Sequence, residues 1–227
     1  MRWLLTVSIM ALAPLAGAQE ATPLVTEKDK LSYAMGMDLG QQLKTQSVAI
    51  DPAVFARGLA DALSGGKTLL TTEEAKAAIS QLQMAMIVKR AEEARLAGEK
   101  NRKEGEAFLA ANATKEGVVT LPSGLQYKIL TTGAGRKPTL EDTAVCQYRV
   151  SLVDGKEVDS SYKRGQPLTI PVKGAIKAWT EVLPLMPVGS KWEVFVPPGL
   201  AYGERGAGAD IGPNATLVFE VELLAIK

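Results

Sequence analysis

Histidine is absent from all 227 residues, and cysteine occurs once, at Cys146. Those two scarcities exclude much of ordinary enzyme chemistry. Without histidine there is no Ser-His-Asp triad, no Cys-His pair and no histidine-based metal site. A lone cysteine makes no internal disulfide and no redox pair, and Cys146 reads as a small buried hydrophobe. No metal and no cofactor is therefore expected. Charge is nearly balanced at +1, from 26 Lys and Arg against 25 Asp and Glu, so no basic footprint points to nucleic acid. Any activity has to come from the shape of a binding site and from taking groups out of water.

A hydrophobic fraction of 46% belongs to a globular protein, and the length holds one large domain or two ordinary ones. Residues 1–18 read as an export signal: Arg2 gives a positive start, residues 3–15 are apolar, and Ala16-Gly17-Ala18 is a small-residue cleavage site. Interrupted by Pro14, that run is too short to span a bilayer. No cysteine follows it for lipid attachment. The mature chain is expected to be exported.

Up to about residue 115 the pattern is helical. Thr26 with Asp29 three residues on predicts a capping box, followed by Leu31, Ala34, Met35 and Leu39 on one face. Asp51 then Pro52 predicts a second start, and Gly65-Gly66 its stop. A third, longer helix opens at Thr71 with Glu74 and runs to about Asn112, on the order of 60 Å. Residues 89–106 are mostly Lys, Arg, Glu and Ala, with Gly98 and Gly105 each costing roughly 1 kcal/mol against Ala. With so little to bury, that stretch reads as a solvated rod joining two bodies. The helices before it make a thin core for one chain, so pairing with a second copy through Met35, Met37, Met84 and Met86 is expected, against the alternative of a small helical domain closed on itself. The expected divisions are 19–70, 71–112 and 113–227.

Beyond residue 115 the period becomes two. Strands are predicted over 124–130, 144–152, 191–196 and 216–226, with a hairpin turn at Asp154-Gly155 and one short helix over 175–185. That is an α+β arrangement: an antiparallel sheet curled over a single helix. Tyr148, Trp179, Tyr202 and Phe219 are its aromatic anchors, with Leu168, Ile176 and Ile211 between them and Asp159 the one acid among them. Singly, each has a plainer reading. Trp179 suits a core, Tyr202 before Gly203 suits a corner bonded to backbone, and Asp159 suits a turn cap.

Taken jointly, the order and spacing say more. Val153-Asp154-Gly155-Lys156-Glu157-Val158-Asp159-Ser160-Ser161, then Ala178-Trp179-Thr180-Glu181, Gly199-Leu200-Ala201-Tyr202-Gly203 and Pro213-Asn214-Ala215-Thr216-Leu217-Val218-Phe219, resemble the FKBP-type peptidyl-prolyl isomerases. Asp29-Lys30-Leu31-Ser32-Tyr33 and Gly105-Glu106-Ala107-Phe108-Leu109 resemble the macrophage infectivity potentiator (Mip) group within that family. The resemblance implies an N-terminal all-helical dimerisation domain, a long connecting helix and a C-terminal isomerase domain, exported to the periplasm or associated with the outer membrane. It implies rotation about X-Pro bonds in proline-containing polypeptide clients during their folding, no cofactor, and binding of macrolide inhibitors of the FK506 type. Rotation meets a barrier of ~18–20 kcal/mol, and the planar amide is the more charge-separated form. A dry pocket fitted to the twisted form removes water's preference for the planar one. Lowering the barrier by about 5.5 kcal/mol accelerates rotation about ten-thousandfold, with no proton transfer.

By resemblance, Trp179 is the floor under the proline ring, and Tyr148, Phe219, Ile176 and Leu168 are walls. Tyr202 and the Ile176 N–H would donate to substrate carbonyls. Asp159 would sit at the rim, and residues 204–212 would overhang the groove through Ile211, with Gly206 and Gly208 giving mobility. Three positions depart from the family pattern. Val158 stands where Phe is usual, Ala178 where Gly is usual, and Ala175 is smaller than the usual aliphatic residue. The smaller wall forfeits roughly 1–2 kcal/mol of apolar contact. These departures motivate a second reading, a dimeric holdase chaperone or binding module with weak isomerase activity.

Overall fold

The computed structural model describes residues 23–227, which fall into two units that divide between Glu74 and Ala75. The expected export signal lies outside the described residues. In the first unit, α1 (Glu27–Thr45) starts as its capping box dictates, with Thr26 Oγ1 accepting from Asp29 N at 3.1 Å and Asp29 Oδ2 accepting from Thr26 N at 2.9 Å. Asp51 caps α2 (Pro52–Ser64) through the Ala53 and Val54 N–H groups, and Gly65 ends it in the left-handed conformation at φ 65°. Neither helix buries a single residue.

The third helix, α3 (Thr72–Asn112), begins with Thr71 and Glu74 exchanging hydrogen bonds and continues for 41 residues. Its second half departs from the expected solvated rod. The flanks are solvated and laced with ion pairs such as Arg95 with Glu92 and Glu99. Gly98, Gly105 and Asn112, however, are buried along one side. Asn112 donates to Gln126 Oε1 at 2.9 Å, Gln126 donates to the Leu109 carbonyl at 2.9 Å, and Phe108 packs on Phe195 with centroids 5.9 Å apart. The end of α3 therefore belongs to the body of the second unit.

That body is a seven-stranded antiparallel sheet of β1 (Val118–Thr120), β2 (Gln126–Thr131), β3 (Thr143–Leu152), β4 (Glu157–Ser160), β5 (Leu168–Pro171), β6 (Lys191–Val196) and β7 (Leu217–Ile226). The spatial order is β1-β2-β6-β7-β3-β4, with β5 also pairing β3. Alternation selects the faces: Ala144, Cys146, Tyr148 and Val150 of β3, and Leu217, Phe219, Val221 and Leu223 of β7, point into one core. Against that face lies α4 (Lys177–Val182), which continues as a 3-10 turn over Leu183–Leu185 and contributes Ala178, Trp179, Val182 and Leu183. The three strands the periodicity leaves unread, β1, β4 and β5, are three or four residues long, too short to display a period.

The far edge of β3 is what opens a site. Its first residues, Thr143–Cys146, pair with β5, and its last, Arg149–Ser151, pair with β4. Between them the two partners part at Gln147 and Tyr148. Ser161 closes that gap by accepting from Tyr148 N at 2.8 Å through its hydroxyl and donating its N–H to the Tyr148 carbonyl at 2.9 Å.

Candidate active site

Three of the anchors meet on the core face of this split. Trp179, 3% exposed, stands edge-on to Tyr148 with centroids 5.5 Å apart at 85°, and to Phe219 at 5.8 Å and 73°. Such pairs contribute about 0.5–1.5 kcal/mol each beyond area burial. The indole N–H of Trp179 is buried and has no acceptor among the described residues, so packing alone fixes the ring. Val158, Leu168, Ala175, Ile176 and Ile211 are all partly buried against the hydrophobic core to which these rings belong. Ile176 caps the start of α4 with its backbone extended, and its carbonyl accepts from Trp179 N at 2.9 Å and Thr180 N at 3.0 Å. Ala178 is fully buried, so the methyl it adds next to Trp179 is core volume. Tyr202 is 39% exposed and lies outside the buried cluster, at the start of the loop whose far end carries Ile211.

The polar chemistry is confined to one rim. Tyr148 donates its hydroxyl to Asp159 Oδ2 at 2.5 Å, and Ser160 N donates to Asp159 Oδ1 at 2.7 Å. Arg164 pairs with Asp159 and also donates to the Tyr148 hydroxyl at 2.7 Å, with its guanidinium 5.2 Å from the Tyr148 ring centroid. Burial would lift the Asp159 carboxyl, but the Tyr148 hydroxyl, the Ser160 N–H and Arg164 together hold it below the usual carboxylate range. Burial and the adjoining Asp159 acceptor push the Tyr148 phenol above its ordinary value. Asp159 is thus a fixed anion and Tyr148 a fixed neutral donor. Cys146 lies deeper, its thiol pushed up to about 12 by burial, and stays protonated.

Arg164 is the residue that reading the sequence missed. An acid beside an apolar pocket needs a cation or several donors to stay charged. That requirement was the available signal, and Arg164 lies five residues after Asp159 in the following turn. Gly206 also differs from expectation. A side chain there would come within 2.1 Å of the Ile211 carbonyl, and Ala207 and Ile211 bond to each other at 2.8 and 3.1 Å. Close approach of two backbones, rather than mobility, requires that glycine. A hollow of about 370 Å³ lies on the outer face of the sheet, lined in part by Phe108, Lys115, Lys128, Glu193 and Phe195, across the strands from the aromatic cluster.

Two family models cover this architecture: the domain amino terminal to FKBP-type peptidyl-prolyl isomerase matches residues 28–129, and FKBP-type peptidyl-prolyl cis-trans isomerase matches residues 134–224. A protein of Legionella longbeachae named outer membrane protein MIP is 48% identical over 226 residues, 99% of this chain and 97% of its own. The chain belongs to the FKBP-type peptidyl-prolyl cis-trans isomerases. Within that family the peptidyl-prolyl cis-trans isomerase Mip of Coxiella burnetii is 45% identical over 92% of this chain and 91% of its own. The crystal structure of FkpA from Escherichia coli superposes with a TM-score of 0.70 at 32% identity, covering 90% of this chain and 99% of that one. The isomerase is thus related along both its helical and its sheet parts, and the α+β architecture expected from the periodicity stands. Near-full-length kinship with enzymes named for the activity favours catalysis over the holdase reading.

Proposed function

We propose that the X-Pro bond turns over the Trp179 indole, with Tyr148 and Phe219 as side walls and Val158, Leu168, Ala175, Ile176 and Ile211 completing an apolar surround. The observation carrying this is the Tyr148–Trp179–Phe219 cluster, three edge-to-face rings with polarity on one rim only. In it the charge-separated planar amide loses hydration, while the twisted form keeps its contacts. Tyr202 and the Ile176 N–H donate to the flanking carbonyls and hold the peptide while the prolyl side rotates. Asp159, fixed by Tyr148 and Arg164, sets the field at the rim without exchanging a proton. Tyr148, Trp179 and Phe219 face the turning bond, and with Tyr202 on a flanking carbonyl and Asp159 at the rim they are the residues that carry catalysis.

The helical part acts as a homodimer. α1 and α2 bury nothing by themselves, and Met35, Leu59 and Leu63 are 65, 52 and 79% exposed, surface a second copy would cover. The isomerase is exported and works on folding clients at the periplasm or outer membrane. The residue 1–18 pattern and the name of the Legionella relative support this location. Among the described residues no helix is long and apolar enough to cross a membrane. FK506-type macrolides occupy the same cluster.

A protease-coupled prolyl-peptide assay on the purified full chain tests the site. Rotation should be accelerated and blocked by a macrolide of that type, and Trp179→Leu should lose about a hundredfold of kcat/KM. A Trp179→Leu protein that folds and keeps wild-type kcat/KM would refute the assignment of the floor.

A further inference from the structure

The loop that brings Ile211 to the pocket leaves and returns at one point, where Asn214 N donates to the Gly203 carbonyl at 2.8 Å. Its return limb lies against α3. Asn101 Nδ2 donates to the Pro213 carbonyl at 2.8 Å. A Cβ at Gly98 would meet Asn214 Nδ2 at 3.2 Å and Pro213 Cβ at 3.3 Å, and one at Gly105 would meet Thr216 Oγ1 at 2.1 Å. From the loop's side, a Cβ at Gly212 would meet Asn101 Nδ2 at 3.0 Å. Positions 98, 101 and 105 fall on one side of a helix. Two glycines thus let the helix and loop backbones close in, and one amide between them holds the carbonyl two residues beyond Ile211. The loop's outer tip is fastened less firmly, by a Lys156–Asp210 ion pair whose side chains are both more than half exposed.

We propose that α3 is a working part of the isomerase site: Asn101, framed by Gly98 and Gly105, is a positioning residue that fixes where Ile211 stands over the bound prolyl segment. This rests on the reading of Ile211 as a pocket wall. Because Ile211 would touch the peptide in planar and twisted forms alike, displacing it weakens binding more than turnover. Asn101→Asp keeps the size and turns the donor into an acceptor facing the Pro213 carbonyl. It should raise the peptide KM about tenfold with kcat within about twofold. Gly105→Ala should raise KM in the same direction, and Thr216→Ala added to it should restore part of the loss by removing the colliding hydroxyl.

All variants are measured in the full chain, with Arg90→Ala, on an exposed face of α3 well before the contact, as the control that stays wild type. Ile211→Ala separates the two levels of inference. A raised KM in Ile211→Ala with wild-type constants in both Asn101→Asp and Gly105→Ala overturns the coupling alone. Wild-type constants in all three overturn the placement of Ile211 as well. A fall in kcat with unchanged KM in Asn101→Asp also overturns the proposal.

Discussion

Replacing Tyr148 by Phe separates the two things the site offers, a dry enclosure and a polarised rim. The ring keeps its edge-to-face place against Trp179, while the hydroxyl's bonds to Asp159 at 2.5 Å and from Arg164 at 2.7 Å are lost. Hydrogen bonds to charged partners are worth about 1.5–3 kcal/mol when both sides stay buried. Here the side chains of Asp159 and Arg164 are 46 and 42% exposed and can turn to water, so losing the Tyr148 hydroxyl should cost about 1 kcal/mol. For a unit of this size that lowers Tm by about 2–4 °C. If rotation is driven by desolvation and fit, kcat/KM should fall no more than about fivefold, since one such increment is all the transition state can lose. Trp179→Leu gives up the floor and two aromatic pairs, about 2–3 kcal/mol, and with it roughly a hundredfold. The protease-coupled assay and a thermal melt report both. A loss of a thousandfold in Tyr148→Phe, with the fold intact, would refute the reasoning, because the rim and not the enclosure would then carry catalysis.

Val158→Phe restores the bulk the family usually has and should raise kcat/KM about fivefold, from roughly 1 kcal/mol of added apolar contact; an unchanged constant removes Val158 as the cause of any weakness. The Asp159 carboxyl is held below its ordinary 3.8, so its contribution is complete above that value and lost only as pH falls through the lower folded one, while Tyr148 stays protonated beyond its ordinary 10.0. Activity should therefore be flat within about twofold from about pH 5 to about pH 9, with a solvent isotope effect near one, and a bell-shaped profile would reveal a proton transfer. Met35→Lys and Leu59→Lys together should convert a dimer into a monomer in sedimentation velocity while leaving prolyl-peptide kcat/KM within about twofold; an unchanged mass would place the pairing surface elsewhere.

Most of the fold could be read from periodicity and punctuation because those signals are local. Thr26 with Asp29, Asp51 with Pro52, and Thr71 with Glu74 each satisfy backbone donors within three residues. The alternation of Cys146, Tyr148 and Val150 likewise needs only one buried face. What could not be read depends on distant pairing. Arg164 acquires meaning only once β3 and β4 bring Tyr148 and Asp159 beside it, and β5 exists because β3 offers it an edge. The charged stretch of α3 misled for a related reason. Its contact is made by Gly98, Gly105 and the polar Asn101, none of which a hydrophobicity pattern registers.

That last point changes what the two glycines mean. In an isolated helix each is a loss of roughly 1 kcal/mol against Ala. Against the sheet domain each is the condition for contact, since an added methyl at Gly105 would stand 2.1 Å from Thr216 Oγ1 and 3.0 Å from its Cβ. Threonine's χ1 is stiff, so the hydroxyl cannot simply swing away. The local cost is offset by bringing Asn101 within reach of the Pro213 carbonyl and Phe108 onto Phe195. A pocket with no acid–base group depends on how closely its walls hold the prolyl segment, and one of those walls, Ile211, is carried on a loop. Such a loop needs an external brace to hold a fixed position. The helix that first looked like a spacer supplies one at the loop's return limb, which explains why a stretch so rich in charge should keep glycine on one face.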